Sequence, residues 1–381
     1  MAGRGFRRPG RATVSPRGRA LAGSAALALA SLLLAAFGIE AALRLAGFRP
    51  EGERAVRRMV DARRRLLLDC FPSNPRGYFE IDLQAAASAE LYRRLAPLRF
   101  DAIAHDHRWA VETRYNALGF RDVAPGPKSP GVTRVVVLGD SFAEGQGVKE
   151  PDTLARELGR LLDARAPGRF EVRNAGRRGA DFPELYAVFE AALAYEPDLV
   201  VYALTLNDAV QPPAFRARQG FVNDWILDRT RAPDAAEAPY PALRPRLFDF
   251  VRERLAAAAV GRSTTRWYLD MWGEANAPGL RQTEEYVSRM RQRLEARGAR
   301  LLVAPWPLFV ALERGYPFAP VHETIRRFCL AAGIPHHDLL GAFAGRTTGE
   351  LWVHPVDHHP NELAHRLAAE SLAPVVQAVA P

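Results

Sequence analysis

Apolar residues follow two different patterns along this chain. Near the N-terminus they form one long run, because residues 20–39 include no charged side chain, and a run of this length predicts a helix that can span a bilayer. From residue 131 onward they form short runs that alternate with longer amphipathic segments, which predicts alternating strands and helices. The predicted strands are 134–139, 169–173, 198–205, 300–306 and 334–338, and the predicted helices are 151–165, 182–194, 281–297, 320–332 and 361–379.

This alternation predicts the α/β class, with three α/β/α layers and a five-stranded, mostly parallel sheet. We divide the chain into a basic tail (1–19), an anchor (20–45), a lead-in region (46–130) and a C-terminal domain (131–381). The lead-in is expected to hold a juxtamembrane helix near anionic headgroups and then a small, partly β segment. The Pro-rich stretch 210–280 is predicted to be an insertion, whose tryptophans either wall the neighbouring crevice or pack a small core of their own.

Charge supports a membrane segment and argues against a nucleic-acid partner. The chain has 381 residues and a formal net charge of +9. Much of the excess comes from arginines in a tail without acidic residues: Arg4, Arg7, Arg8, Arg11, Arg17 and Arg19. The remainder is nearly balanced and so has no polyanion-binding footprint. A basic flank predicts a cytoplasmic N-terminus, so the remaining chain would be extracytoplasmic, in a periplasm, behind a single-pass inner-membrane helix.

A cleaved signal peptide is the competing interpretation of the apolar run. Signal peptides have a shorter apolar region that ends in a small-x-small cleavage site. Residues 41–44 form a poor site of this kind, which favours an uncleaved anchor. The two cysteines, Cys70 and Cys329, are too few for a disulfide framework. They either pair or remain two separate thiols, and the sequence leaves both states open.

A serine lies where chemistry is expected in an α/β sheet. The apolar strand 135–138 leads directly into Gly139-Asp140-Ser141, which places the serine at the C-terminal end of a parallel strand. A serine hydroxyl needs a neighbouring imidazole to take its proton. Late in the chain, Asp357 lies two residues before His359, so a carboxylate is available to fix the imidazole tautomer.

Two further strand ends supply hydrogen-bond donors. The strand 169–173 leads into a loop that contains Gly179, and the strand 198–205 leads into Asn207. If the sheet is parallel, both loops lie beside the serine. A backbone N–H and a side-chain amide are suitable donors for the oxyanion of a tetrahedral intermediate.

These four segments together resemble the SGNH hydrolase superfamily, the GDSL esterases and lipases, over roughly residues 131–380. The resemblance implies that Ser141 is the nucleophile, with His359 as base and Asp357 as its partner. It also implies an oxyanion hole formed by Ser141, Gly179 and Asn207, and a flavodoxin-like sheet. Residues 116–122 are similar to an element that precedes the serine in a membrane-anchored branch of the family.

The chain departs from the family pattern at two places. Thr205 replaces the glycine of the usual Gly-x-Asn-Asp block and is expected to narrow the crevice. The last block has Asp-x-His spacing instead of Asp-x-x-His, so His358 is the alternative base. A catalytically inactive SGNH binding domain is the third functional hypothesis, and Thr205 is its only support.

The resemblance implies a serine-dependent ester hydrolase that acts on an O-acyl ester through an acyl-enzyme and needs no cofactor. The alternative is an O-acyltransferase that modifies an envelope glycan with a membrane acyl-donor partner. The substrate is expected to be a small-molecule or glycan ester. No metal is predicted, because four histidines near Asp357 match no common ligand spacing; they are His354, His358, His359 and His365.

Simpler interpretations apply to single residues of the candidate site. Ser141 is a possible helix N-cap, Gly176 a turn former and Asn207 a turn residue beside Asp208. Asp140 is expected to bind loop backbone rather than substrate.

Overall fold

The computed structural model describes residues 16–48, 115–217, 243–354 and 357–381. Several features predicted from the sequence lie outside these residues: the juxtamembrane helix, the β segment before residue 115, Cys70 and Trp225. Two compact units are distinguished: Met1–Arg54 with Ala238–Ala258, and Ala55–Glu237 with Ala259–Pro381.

The second unit is built on a parallel sheet in the order β2-β1-β3-β4. Its strands are β1 Thr133–Gly139, β2 Phe170–Gly176, β3 Leu199–Ala203 and β4 Arg300–Val303. A fifth strand was predicted at 334–338, but there a single parallel bridge joins His336 to Val303. Pro335 accepts from Val303 but lacks an N–H to donate to a ladder, so pairing stops after one bridge. A separate antiparallel pair consists of β5 Trp352–His354 and β6 Asp357–Pro360.

Helices cover both faces of this sheet, which confirms the predicted α/β fold. The α-helices of the described residues are α1 Pro16–Leu45, α2 Ser141–Glu144, α3 Leu154–Arg165, α4 Glu184–Ala192, α5 Pro213–Arg216, α6 Arg246–Met271, α7 Ala277–Glu295, α8 Ala319–Ala331 and α9 Glu362–Val379. Short 3-10 helices are Glu150–Asp152, Leu193–Tyr195, Glu274–Asn276, Leu312–Arg314, Leu339–Phe343 and Thr348–Leu351.

Alternate residues of each strand enter different cores. Val136 and Leu138 pack with α4, α7 and α8, whereas Val135 and Val137 pack with α3 and α9. This division follows from the period of two along a strand. Both faces of β1 are therefore apolar and buried, as is typical of a central parallel strand.

Tryptophans of the 210–280 stretch pack inside the second unit. Trp272 belongs to the core on the α4 side of the sheet, and its indole N–H donates to the carbonyl of Leu206 at 2.7 Å. Trp267 packs on Phe215 at 6.2 Å between ring centroids. These two side chains thus contribute to a core instead of an open stacking surface. Cys329 carries a buried, free thiol, and burial raises its pKa to about 12.

The first unit contains α1. The part Gly23–Leu45 has a mean hydropathy of 2.1, and none of it is buried against protein. Its length and composition are sufficient to cross a membrane, as those of a signal sequence also are.

Candidate active site

The loop after β1 is shaped by two residues. Gly139 is required because a Cβ there would lie 2.6 Å from the carbonyl oxygen of Ala203. Asp140 then caps α2, since its Oδ1 accepts from the N–H of Phe142 at 2.9 Å. The N-cap is therefore Asp140, and Ser141 is left as the first residue of the helix.

Ser141 is in contact with the predicted base. Its Oγ lies 3.0 Å from Nε2 of His359, although the two residues are 218 positions apart. The rings of Phe142 and His359 pack in an edge-to-face arrangement, with their centroids 5.6 Å apart. The ring of His358, the alternative base, stacks on that of Trp352, with the two centroids 3.9 Å apart. The structure thus brings Ser141 together with His359.

Asp357 is described through its backbone alone. It begins β6 and pairs with His354 of β5, so its chain position is next to the base. The side chain lies outside the described part of the structure, and its pairing with the imidazole stays a prediction.

Gln146 is a neighbour of the base that the sequence did not indicate. Its side-chain amide lies 3.4 Å from Nδ1 of His359, and its backbone N–H donates to the carbonyl of Ser141 at 3.0 Å. If Nε2 is to accept the serine proton, Nδ1 must carry hydrogen. With the amide rotated so that Oε1 faces the ring, Gln146 would share that hydrogen with the predicted partner Asp357; amide N and O are interchangeable in shape.

The carboxylate of Asp140 connects the serine to the third strand end. Its Oδ2 lies 3.4 Å from Oγ of Ser141 and accepts from Nδ2 of Asn207 at 3.2 Å. An amide group has two hydrogens, so Asn207 keeps one for another acceptor. Asp140 therefore bridges the serine loop and the third strand end. Its predicted contact with loop backbone is the one to the N–H of Phe142.

Thr205 does not narrow the crevice, contrary to our expectation. Its side chain is fully buried and donates from Oγ1 to Oδ1 of Asp140 at 2.8 Å. The hydroxyl therefore stabilises the residue before the serine, and Thr205 no longer supports the hypothesis of an inactive domain.

Asp208 stabilises the same loop through hydrogen bonds of its buried carboxyl group. Its Oδ2 accepts from the N–H of Thr205 at 2.9 Å and from the hydroxyl of Tyr202 at 2.8 Å. Complete burial, followed by the nearby charge of Asp140, raises the pKa of Asp208 well above its ordinary value. The Asp208 side chain thus fixes the backbone of the loop that carries Asn207.

The predicted donor Gly179 lies in an exposed turn. Its φ of +82° is in the left-handed region, which glycine adopts without strain. Within the described residues, neither the N–H of Gly179 nor that of Ser141 donates a hydrogen bond. Both remain available to an external acceptor, as an oxyanion hole requires.

A buried ion pair ties the Gly179 turn to the serine helix. Glu144 of α2 accepts from the backbone N–H of Arg178 at 2.8 Å, from its guanidinium and from the hydroxyl of Tyr115 at 2.6 Å. Burial raises the pKa of Glu144, but the charge of Arg178 and these hydrogen bonds outweigh it, so the pKa is lowered overall. No motif along the chain indicated this pair.

Gly176 allows that close approach. A Cβ at this residue would lie 2.0 Å from the backbone nitrogen of Glu144. Its φ is not positive, so its role is space for α2; our interpretation as a turn former was wrong.

The 116–122 element packs behind the serine loop. The guanidinium of Arg121 is buried and donates to the carbonyls of Gly145 and Val148 at 2.6 and 2.7 Å. Asp122 accepts from the N–H of Asn174 on β2 at 2.6 Å. The element therefore holds the chain that leaves α2 against the sheet.

Three of the four histidines considered as metal ligands, His358, His359 and His365, have other partners. His365 is fully buried, and its Nδ1 accepts from the N–H of Leu154 at 3.2 Å. Burial, then the charges of Arg121 and His359, lower its pKa to about 3. In the described ranges, three or more His, Cys, Asp or Glu side chains never group in a way that could hold a metal ion.

Comparison with known proteins places these features in a family. No functionally curated protein matches the chain in sequence. Among the solved structures similar to it is a catalytic mutant of an acetylxylan esterase from Geobacillus stearothermophilus, with 14% identity over 65% of this chain and 94% of that one (TM-score 0.40). Another is a psychrotrophic esterase from Pseudoalteromonas sp., with 13% identity over 65% of this chain and 97% of that one (TM-score 0.38).

The family comparison covers most of the second unit. The model of the GDSL-like lipase/acylhydrolase family matches residues 137–367, from within β1 to within α9. This is more than half of the chain. The protein therefore belongs to the GDSL-like lipase/acylhydrolase family and is an ester-bond hydrolase.

Proposed function

We propose that the protein is a serine-dependent hydrolase of O-acyl esters that acts outside the cytoplasm through an acyl-enzyme. The observation that carries the proposal is the 3.0 Å contact between Oγ of Ser141 and Nε2 of His359. A serine that meets an imidazole at the C-terminal edge of a parallel sheet has the geometry of an activated nucleophile. The N–H groups of Ser141 and Gly179, which donate no hydrogen bond to any of the described residues, support it further.

The proposed reaction begins with proton transfer from Oγ of Ser141 to Nε2 of His359, while Oγ bonds to the ester carbonyl carbon. The resulting oxyanion is bound by the N–H groups of Ser141 and Gly179 and by the Asn207 amide. His359 returns the proton to the leaving alcohol as its C–O bond breaks. Water then gives a proton to His359 as its oxygen bonds to the acyl carbon. The bond between that carbon and Oγ of Ser141 breaks, His359 returns the proton to Oγ, and the acid is released. Asp357 is proposed to accept the Nδ1 hydrogen.

The proposed location rests on α1 and the charges before it. The apolar part Gly23–Leu45 is long enough to cross a bilayer, and the arginine-rich tail favours a cytoplasmic N-terminus. The catalytic unit is then periplasmic, at the inner membrane, and its substrates are small-molecule or glycan esters that occur there.

The test uses the full chain in detergent micelles and a series of p-nitrophenyl esters. Replacing Ser141→Ala should lower turnover on the order of 10⁴-fold or more and abolish labelling by a fluorophosphonate. The matched control is Ser371→Ala, because Oγ of Ser371 also meets a histidine ring, Nε2 of His337, at 2.7 Å. This variant should keep wild-type turnover and labelling.

Three results would change the proposal. Equal losses in both variants would mean that Ser141 is not the nucleophile. Folded wild-type protein that neither turns over an ester nor takes the probe would indicate an inactive domain. Slow hydrolysis that becomes fast acyl transfer when an oligosaccharide is added would identify an O-acyltransferase, in which a glycan hydroxyl replaces water and a membrane partner supplies the acyl group.

A further inference from the structure

The first half of α6 exposes an apolar stripe. In the first unit, residues 246–258 of this helix include Phe248, Val251 and Leu255, which are 63%, 46% and 67% exposed. They are spaced three and four residues apart, so they lie on one face of the helix. Leu243, just before the helix, is 95% exposed. Exposed apolar side chains arranged on one face indicate contact with a further surface.

The same helix is fastened to the C-terminal end of α1. Oε2 of Glu40 accepts from the N–H of Leu247 at 2.7 Å, which satisfies a free donor of the first turn of α6. In return, the guanidinium of Arg246 donates to the carbonyl of Phe48 at 2.8 Å, beyond the last turn of α1. The ring of Phe48 packs edge-on against Phe250 at 5.5 Å. The start of α6 is therefore held at the end of α1.

That end of α1 marks a boundary between apolar and polar surroundings. Within the apolar part Gly23–Leu45, the charged residues are Glu40 and Arg44, which form an ion pair at 2.6 Å. Charged side chains near the end of a membrane-spanning helix settle at the bilayer interface. Because Glu40 binds the first turn of α6 directly, the beginning of α6 shares that depth.

The charged side chains of α6 are also compatible with a position in the headgroup region of a membrane. By helical geometry, Arg252 lies on one side of the apolar stripe and Arg254 on the other. The Arg254 guanidinium stacks over the ring of Phe250 at 5.3 Å, while Asp249 is fully buried and paired with Arg244 and Arg252. An apolar stripe flanked by arginines is typical of helices that lie in the headgroup region.

We propose that residues 246–258 form an interfacial helix, whose side chains Phe248, Val251 and Leu255 insert into the lipid boundary of the bilayer that α1 crosses. This inference rests on the membrane anchoring proposed above. The occupant of the stripe is lipid, because the stripe begins where an exposed, bilayer-length apolar helix ends, and because arginines flank it.

The test places an environment-sensitive probe on the stripe. Val251→Cys, in full chains that also carry Cys70→Ser and Cys329→Ala, is labelled with the fluorophore NBD and reconstituted into phosphatidylcholine–phosphatidylglycerol vesicles. Lipids brominated just below the headgroup should quench it about twofold more than lipids brominated near the chain ends. Leu32→Cys in the middle of α1 tests the anchor. Leu330→Cys, exposed on α8, is the control and should emit as in water.

Each other pattern overturns the inference in a distinguishable way. Quenching at position 32 without quenching at position 251 leaves the anchor intact and removes the interfacial helix. Blue-shifted emission at 251 that no brominated lipid quenches means that protein covers the stripe, either another part of this chain or a second copy. Absence of quenching at both positions rejects the anchor and the interfacial helix together.

Discussion

The buried pair of Glu144 and Arg178 should separate stability from catalysis. Glu144 lies three residues after Ser141 in α2, and Arg178 directly precedes the proposed oxyanion donor Gly179. Their side chains are 1% and 3% exposed. In Glu144→Gln the guanidinium stays buried but loses its counter-charge, and the turn that carries Gly179 loses part of its attachment to the serine helix.

The expected magnitudes follow from these contacts. Removing one partner of a buried ion pair costs about 3–5 kcal/mol, because the other charge stays desolvated. This is a large part of the ~5–15 kcal/mol that stabilises a typical protein. If Gly179 moves away from the oxyanion position, kcat should fall by about 10²-fold, toward the loss seen when one oxyanion donor is removed. The double variant Glu144→Gln/Arg178→Met removes both charges and should recover most of the stability.

The assay combines urea unfolding with p-nitrophenyl ester kinetics on the same preparations. Glu144→Gln should lose both stability and kcat, whereas the double variant should be nearly as stable as the wild type and still slow. Glu323→Gln is the control, because Glu323 pairs with Arg326 on the exposed surface of α8. It should change neither the unfolding midpoint nor kcat.

One outcome would refute this reasoning directly. If Glu144→Gln is destabilised as expected but the folded protein keeps its wild-type kcat, the ion pair does not position the Gly179 turn. A change in the free energy of unfolding below ~1 kcal/mol would show that the pair is not desolvated as its burial implies.

Three further expectations concern neighbouring residues. Gly176→Ala should destabilise the fold by about 3 kcal/mol in urea unfolding, because its Cβ would lie 2.0 Å from the Glu144 backbone. Gln146→Ala should lower kcat about tenfold without raising KM, since Gln146 acts through the orientation of His359; an unchanged kcat would contradict this. Since burial, above all, lowers the pKa of His365 from 6.5 to about 3, the unfolded chain alone gains this proton as pH falls below 6.5. Wild-type stability should therefore drop more steeply toward pH 5 than that of His365→Leu.

The sequence was most informative where the structure is locally determined. The apolar run 135–138 predicted the central strand β1, and Asn361, which caps α9 through the N–H of Ala364, agrees with the predicted start of that helix. The start of α7 was predicted at residue 281, whereas the helix begins at Ala277 with Pro278 in its first turn, a position that tolerates proline. The prediction of a strand at 334–338 was wrong because of Pro335. The effect of this proline on pairing depends on the strand beside it, which the sequence does not reveal.

The candidate site could be predicted only in part, because some of its residues depend on tertiary contacts. Ser141 and His359 belong to motifs that can be recognised along the chain, and the fold brings them to 3.0 Å. Glu144, Gln146 and Arg178 have no such motif, because ordinary charged and polar residues look solvent-exposed until their tertiary partners are known. Their burial depends on how the turn after β2 meets α2, and no local pattern encodes that contact.

The fourfold bonding of Asp140 has an evolutionary consequence. One carboxylate caps α2, contacts the serine and receives both the Thr205 hydroxyl and the Asn207 amide. A lineage that exchanged Thr205 for glycine would leave one carboxylate oxygen short of a donor and the nucleophile less firmly held. Positions 140, 205 and 207 should therefore change as a group, and their mutational effects should be epistatic: the fitness of a residue at one position would depend on the residues at the other two.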